Sequence, residues 1–319
     1  MNGTVAVRKI WMGRAAMEEI EADGAEGHFE GLTLFLYNPQ SQQWSQTFAD
    51  AGDGVLNQPM IGGFENRRGE LISQTTNRGE AVLLRDAWSN IAANSHHFEE
   101  SESTDDGRSW QAHFVANLTR EPPGVVQTPP PTDPASMRGG AHDFDFEIGT
   151  WRIHSSRSGA YSHIVQTVWG GRASLAQLRA DSPSPRYLGL MLRTYNPKAQ
   201  QWSIYWASSS AGTLDPPLVG AFKNGRGEFF AQESVNGKTV LVRLAYFDIR
   251  PESFRTEQSF SSDGGRTWGQ TQMQTFTRIA VRRYGLRPRR ATSSTSAAKV
   301  ALKRSGANVS ACARSTAES

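Results

Sequence analysis

Trp11, Trp44, Trp110 and Arg120 each have a counterpart of the same type 158 positions later, at Trp169, Trp202, Trp268 and Arg278. Four landmarks at one offset are not coincidence, and the constant spacing aligns the two halves without a gap from Val5 to Arg120. Whole phrases return between them. YNPQSQQWS from Tyr37 becomes YNPKAQQWS from Tyr195, PMIGGFENRRGE from Pro59 becomes PLVGAFKNGRGE from Pro217, and STDDGRSW from Ser103 becomes SSDGGRTW from Ser261. Solenoid repeats recur about every 20–50 residues. A period of 158 in a chain of 319 residues therefore describes a domain written twice. Between the copies runs EPPGVVQTPPPTDPASMRGG, whose proline density favours an extended, semi-rigid spacer. The organisation expected is a first domain over 1–120, a linker over 121–140, a second domain over 141–279 and a tail over 280–319.

The second copy reads as about ten short strands separated by turn signals, the pattern of a barrel or sandwich. Asn236-Gly237 is a two-residue hairpin signal because both residues tolerate positive φ. Alternation marks half-buried strands: Trp202, Ile204 and Trp206 share one face, as do Val240, Val242, Leu244 and Tyr246, with Arg243 on the other. The nine Trp and fifteen Phe suit pleated sheets. A consecutive meander closes most simply as an up-and-down barrel, which removes its edges. His142–Ile148 can form a short 3₁₀ plug ahead of the first strand. The fold class expected is all-β, with two tandem antiparallel barrels. Shifting HDFDFEIGTW back by 158 places it before Met1, so the first barrel is expected to lack its opening strand, and either the chain start is truncated or that barrel closes in another way. An unpaired edge is a liability, so the first domain is expected to be the less stable one.

Gly149-Thr150-Trp151 opens the first strand of the second copy and Phe276-Thr277-Arg278 closes the last. This pairing resembles the lipocalin and calycin signature, in which a G-x-W tryptophan lies under an arginine of the final strand and seals one end of the barrel. The resemblance implies calycin-like barrels, with Gly149, Trp151 and Arg278 as closure residues. Arg120 matches in the first copy, but its tryptophan is missing there. The unit is also similar to an uncharacterised bacterial domain family of calycin-like barrels, on the phrases HDFDFEIGTW, YNPKAQQWSIYW, GRGEFF and FSSDGGRTW. That family implies a fold and brings no established activity.

Composition closes off several classes. The single cysteine, Cys312, rules out intrachain disulfides and argues against a cysteine metal site. No run of about eighteen apolar residues exists, so no membrane-spanning helix is expected. The N-terminus is too polar for a signal peptide, which leaves the cytoplasm as the default location. Net charge is only +3, and the basic residues gather after Arg278 in a Ser- and Ala-rich tail. A solvated, disordered tail is expected there, and it is the one route to nucleic acid.

S-x-D-x-G-x-[ST]-W at Ser103–Trp110 and Ser261–Trp268 looks like the Asp-box of sialidases, a structural hairpin in which Asp105 or Asp263 holds the turn and Trp110 or Trp268 packs beneath it. Arg85 and Arg243 correspond, as do Glu99 and Glu257, and Gln74 and Gln232; each pair faces either a barrel interior or solvent. Tyr37 and Tyr195 read as hairpin-corner residues. His96 and His97 are adjacent on a strand and point to opposite faces. His142, His154 and His163 lack zinc spacing, so no metal is expected, although a single barrel histidine as haem ligand stays open as an alternative. Glu70 and Glu228 fall in exposed turns. No nucleotide or hydrolase motif is present, and no cofactor is expected.

The first functional reading is a binding protein for a small apolar or amphipathic molecule in a barrel cavity. Trp202, Trp206, Tyr246 and Phe254 would form its apolar wall, with Gln232, Arg243 and Glu257 as polar contacts. The second is a hydrolase or isomerase using Glu257 as base near Arg243. The third is a structural or interaction module whose barrel is filled by its own side chains.

Overall fold

The computed structural model describes residues 2–24, 27–77, 79–121, 140–156, 160–180, 188–279 and 295–304. It is all-β, with two antiparallel sheets. One sheet runs through β1 (Asn2–Ile10), β2 (Ala15–Gly24), β3 (Gly27–Asn38), β4 (Gln43–Asp50), β5 (Met60–Glu65), β6 (Arg68–Asn77), β7 (Glu80–Ser89), β8 (Ser95–Ser103) and β9 (Gln111–Arg120). The other comprises β10 (Gly149–Ser155), β11 (Ala160–Val168), β12 (Ala173–Ala180), β13 (Leu188–Asn196), β14 (Gln201–Ser208), β15 (Leu218–Lys223), β16 (Arg226–Val235), β17 (Lys238–Arg250), β18 (Ser253–Ser261) and β19 (Gly269–Arg278). A last strand, β20, spans Thr295–Arg304. β1–β9 and β20 form one compact unit and β10–β19 the body of another.

The β10–β19 sheet is a closed ten-strand barrel in which every strand pairs with its sequence neighbours and β10 returns to β19. Trp151 stands opposite His163 on β11 and opposite Arg278 on β19. The hairpins have local causes. Asn236 and Gly237 take φ of 52° and 75°, and Asn224 and Gly225 take 53° and 74°, the twin positive values of a type I′ turn. The Asn196 side chain accepts the backbone N–H groups of Lys198 and Ala199 at 2.9 and 3.0 Å, an Asx turn that folds the chain from β13 into β14.

The first sheet repeats this register shifted by 158. Ala15 faces Leu36 as Ala173 faces Thr194, and Tyr37 faces Trp44 as Tyr195 faces Trp202. Its ends meet by the second of the two expected routes, closure in another way. β20 hydrogen-bonds antiparallel to both β1 and β9, so the sheet returns on itself through the last strand of the chain. Ala298 stands opposite Val5 and Arg120, the counterparts of His163 and Arg278. β20 thus occupies the place of β10, and Ala298 the place of Trp151. The tail was expected to be solvated throughout, and residues 295–304 correct that. TSAAKVALKR carries little intrinsic strand preference, but β1 and β9 each present a row of unpaired N–H and C=O groups that a tenth strand satisfies. Cys312, the arginines from Arg282 to Arg290 and the proline-rich linker lie outside the described residues.

The second barrel's core is one cluster around Trp151, Tyr195, Trp202, Phe229, Tyr246, Phe254 and Phe276. In the first, described clusters gather around Phe35, Met60, Leu71 and Trp88 and around Val5, Ala116 and Leu118. No helix among the described residues is long and apolar enough to cross a membrane.

Candidate functional site

One end of the second barrel is sealed by the segment that precedes it. Asp145–Glu147 forms a single 3₁₀ turn that sets Phe144 and Phe146 into the lumen. Phe144 packs against Trp202 and Tyr246 at centroid distances of 5.0 and 5.3 Å, and Phe146 against Phe254 at 5.2 Å. The plug's backbone is held from several strands. Trp202 Nε1 donates to the Gly140 carbonyl at 2.8 Å, Trp151 Nε1 to Glu147 at 2.6 Å, and the Gly140 N–H donates to the Tyr195 hydroxyl at 3.0 Å. Arg278 stacks 4.1 Å above the Trp151 ring while donating to the Ile148 and Phe146 carbonyls at 2.8 and 2.7 Å. A guanidinium that stacks and bonds at once joins β19 to the plug. Gly149 takes φ of 126°, and a Cβ there would lie 2.7 Å from Arg278 Nη1, so only glycine lets the arginine cross.

Beneath the plug lies a buried ionic group. Arg193 Nη2 sits 2.9 and 2.8 Å from the two Glu147 oxygens, His163 Nε2 lies 2.9 Å from Oε1, and Arg193 reaches the Tyr246 hydroxyl at 3.4 Å. Arg193 is 0% exposed and Glu147 1%. Burial is the largest influence on Glu147 and pushes its carboxyl up, but Arg193 and the His163 hydrogen bond outweigh it and hold the group below its usual range. Burial also pushes the Tyr246 phenol up to about 12. With no exposed face, the group fixes the plug.

The sequence-based candidates separate into two sets. Trp202, Tyr246 and Phe254 do face the lumen, but at 0–2% exposure they are covered by Phe144 and Phe146 and form the plug's bed. Trp206 also faces the lumen, nearer the other end, and is partly exposed. Arg243, Glu257 and Gln232 lie on the outer face. Alternation from Leu244 and Tyr246 puts Arg243 outside, where it pairs with Glu257 at 3.4 Å, bonds Ser259 at 3.2 Å and stacks 4.7 Å from Trp268. Gln232 is exposed. The first half repeats the clasp: Arg85 reaches Glu99 at 3.3 Å, Ser101 at 3.2 Å and the Trp110 ring at 4.3 Å. Each clasp sits beside its Asp-box turn. Asp105 Oδ1 accepts from Ser103 and from the Ser109 N–H at 2.8 Å, and Asp263 Oδ1 accepts from Ser261 and Thr267 at 2.7 and 2.9 Å. The Ser109 and Thr267 bonds hold both carboxyls down at about 2. His96 and His97 fall on opposite faces of β8, and His97 lies 2.9 Å from Asn117 Oδ1.

Away from the plug, the lumen of the second barrel is lined by Leu178, Met191, Trp206 and Leu244, all partly exposed, and Leu178, Met191 and Leu244 pack against the core cluster. The matching layer of the first barrel is chemically different. Ala176, Met191, Ile204, Leu244 and Gln258 correspond there to Glu18, Thr33, Gln46, Asp86 and Glu100. Gln46 Nε2 donates to Asp86 Oδ2 at 2.6 Å, while Asp86 Oδ1 and Gln46 Oε1 are buried without a hydrogen-bond partner. Glu100 bonds His113, which a register shift in β8–β9 turns toward it. Conversely, Arg193, His163 and Tyr246 correspond to Phe35, Val5 and Trp88. Each barrel carries ionisable groups where the other is apolar.

Burial above all, then the nearby Glu100, pushes the Asp86 carboxyl up to about 8, and burial pushes Glu18 up to about 7. Unfolded, both groups lose their protons near pH 4. A folded-state value above the unfolded one gives stability that is fully present below pH 4 and lost as pH rises toward 8. Asp86→Asn is therefore expected to remove about 2–3 kcal/mol of the fall in first-barrel stability between pH 5 and pH 7. Urea unfolding at both pH values checks it; an unchanged slope against pH would show Asp86 ionised in the folded chain.

No protein-family model matches the chain, and no curated protein matches it. Among solved structures, a protein of unknown function from the DUF3598 family of Nostoc punctiforme is 12% identical over 87% of this chain and 95% of its own, with a TM-score of 0.18. At that score the site rests on its own geometry.

Proposed function

We propose that the chain is a small-molecule binding protein of calycin-like architecture, and that the second barrel takes an apolar or amphipathic molecule through the end opposite its plug. One observation carries this reading: Trp151, Trp202, Phe229, Tyr246 and Phe254 around the plug are covered, whereas Leu178, Met191, Trp206 and Leu244 farther along keep part of their surface although they face inward. Apolar inward surface left uncovered is what a ligand cavity offers. The Tyr246 hydroxyl at its floor is already engaged, 3.9 Å from the Met191 sulfur and bonded to Arg193. An amphipathic guest would rest its apolar body on Met191 and keep its polar end toward the open mouth. The hydrolase or isomerase alternative finds little support, since Glu257 faces outward and is already paired with Arg243.

The test uses N-phenyl-1-naphthylamine, a neutral probe that fluoresces in apolar surroundings. Wild-type protein is expected to enhance its emission saturably, and Met191→Trp, which fills the lumen, is expected to weaken binding at least tenfold. An unchanged titration with the variant, or no enhancement with wild type, favours a barrel filled by its own side chains.

A further inference from the structure

The layer of ionisable groups in the first barrel is costly. Glu18, Asp86, Glu100 and Glu102 project from β2, β7 and β8 on the same parity as Ile20, Trp88 and Phe98, which pack in the core. Burying a carboxylate such as Asp86 without a cation is unfavourable by several kcal/mol, and His113, a cation described at this layer, is already engaged by Glu100. Asp86 is 2% exposed and Gln46 6%, yet each keeps an oxygen without a partner. Gln46 Oε1 only accepts, and so does Asp86 Oδ1 once the carboxyl is ionised, so a cationic donor would complete both. Below the layer lie aromatic rings: Trp88 is 6.0 Å from Phe35 and 5.1 Å from Phe98. Above it the way stays open, since the Glu100 side chain is 42% exposed.

We propose that the lumen of the first barrel binds a small organic cation, a primary ammonium carried on an apolar body, with Asp86 as its counter-ion. The ammonium supplies three donors, enough for Asp86 Oδ1, Gln46 Oε1 and the Glu18 carboxylate. The aromatic floor takes the apolar body and presents ring faces that attract a cation. A metal ion fits less well, because among the described residues no three His, Asp or Glu side chains converge as ligands. The second barrel gives the contrast from the same scaffold: Ala176, Ile204 and Leu244 stand in place of Glu18, Gln46 and Asp86, so the acceptors of this layer are absent at the matching positions. The proposal goes beyond the apolar site of the second barrel and does not rest on it.

Isothermal titration of the full chain at pH 7 with tryptamine, and with its neutral counterpart tryptophol, tests it. Tryptamine is expected to bind at least tenfold more tightly than tryptophol, and Asp86→Asn, which keeps the shape and removes the charge, is expected to lose tenfold or more. Glu18→Gln is expected to lose affinity in the same direction and serves if Asp86→Asn fails to fold. Equal affinity for amine and alcohol would overturn the proposal. So would undiminished tryptamine binding by a folded variant, or no binding of tryptamine, 2-phenylethylamine or hexylamine at about 1 mM. Naphthylamine fluorescence with the Met191 variant reports only on the other barrel, so the two readings fail separately.

Discussion

A chain stopped after Ile279 is expected to keep the second barrel and lose the first. Seven residue pairs join β20 to β1 and seven join it to β9. At about 1 kcal/mol net per backbone hydrogen bond, their removal costs on the order of 10 kcal/mol, comparable to the whole stability of a domain. The loss also leaves β1 and β9 as two bare edges open to pairing between molecules. The second barrel ends before the cut, since the Ile279 N–H still reaches the Thr150 carbonyl at 2.8 Å. Hydrogen exchange should therefore show β1 and β9 unprotected while β10 and β19 stay protected, and the truncated chain should aggregate. Protection of β1 equal to that in the full chain would mean that β20 does not hold the first sheet closed.

Arg193→Ala is the second large effect. It strands Glu147 at 1% exposure with only a histidine beside it, and breaking a buried pair in this way costs about 3–5 kcal/mol. The loss should be cooperative with release of the plug, because Glu147 belongs to the 3₁₀ turn that places Phe144 and Phe146. Near-ultraviolet circular dichroism of Trp151 and Trp202 reads the release, and urea unfolding reads the cost. A Glu147→Leu, Arg193→Met pair should cost far less than Arg193→Ala alone, since apolar replacement of both partners leaves no charge to compensate. The first barrel already holds such an arrangement, with Phe35 at the position of Arg193. If the paired change is as costly as the single one, the ionic group contributes attraction in its own right.

Most of the strand order was legible, because alternation and type I′ turns are local. The pairing of Trp151 with Arg278 followed from their places at the two ends of one meander. The site was less legible for three separable reasons. Arg243 and Glu257 are grouped with lumen residues only if parity is ignored: Leu244 and Tyr246 already occupy the inward face. Trp202, Tyr246 and Phe254 have the right parity, but a sequence does not say that Phe144 and Phe146 will cover them. The polar layer of the first barrel is not legible from the repeat, because it lies where the two copies differ. Asp86 differs from its counterpart Leu244, and so does Glu18 from Ala176. The signal was a charged residue between Leu84 and Trp88 at the inward spacing of two. β20 was hidden by composition, since what makes it a strand is the pair of neighbours waiting on either side.

The place of β20 dictates an order of assembly. During synthesis the first nine strands leave the ribosome long before their tenth, and the whole second barrel is made in between. Val5 must wait for Ala298. Closing so distant a contact is slow, while every partner in the second barrel lies within one contiguous stretch. The later half of the polypeptide can thus mature before the earlier one, the reverse of the usual vectorial sequence, and any stall or cleavage beyond Arg278 would release a molecule with one finished can and one unzipped sheet.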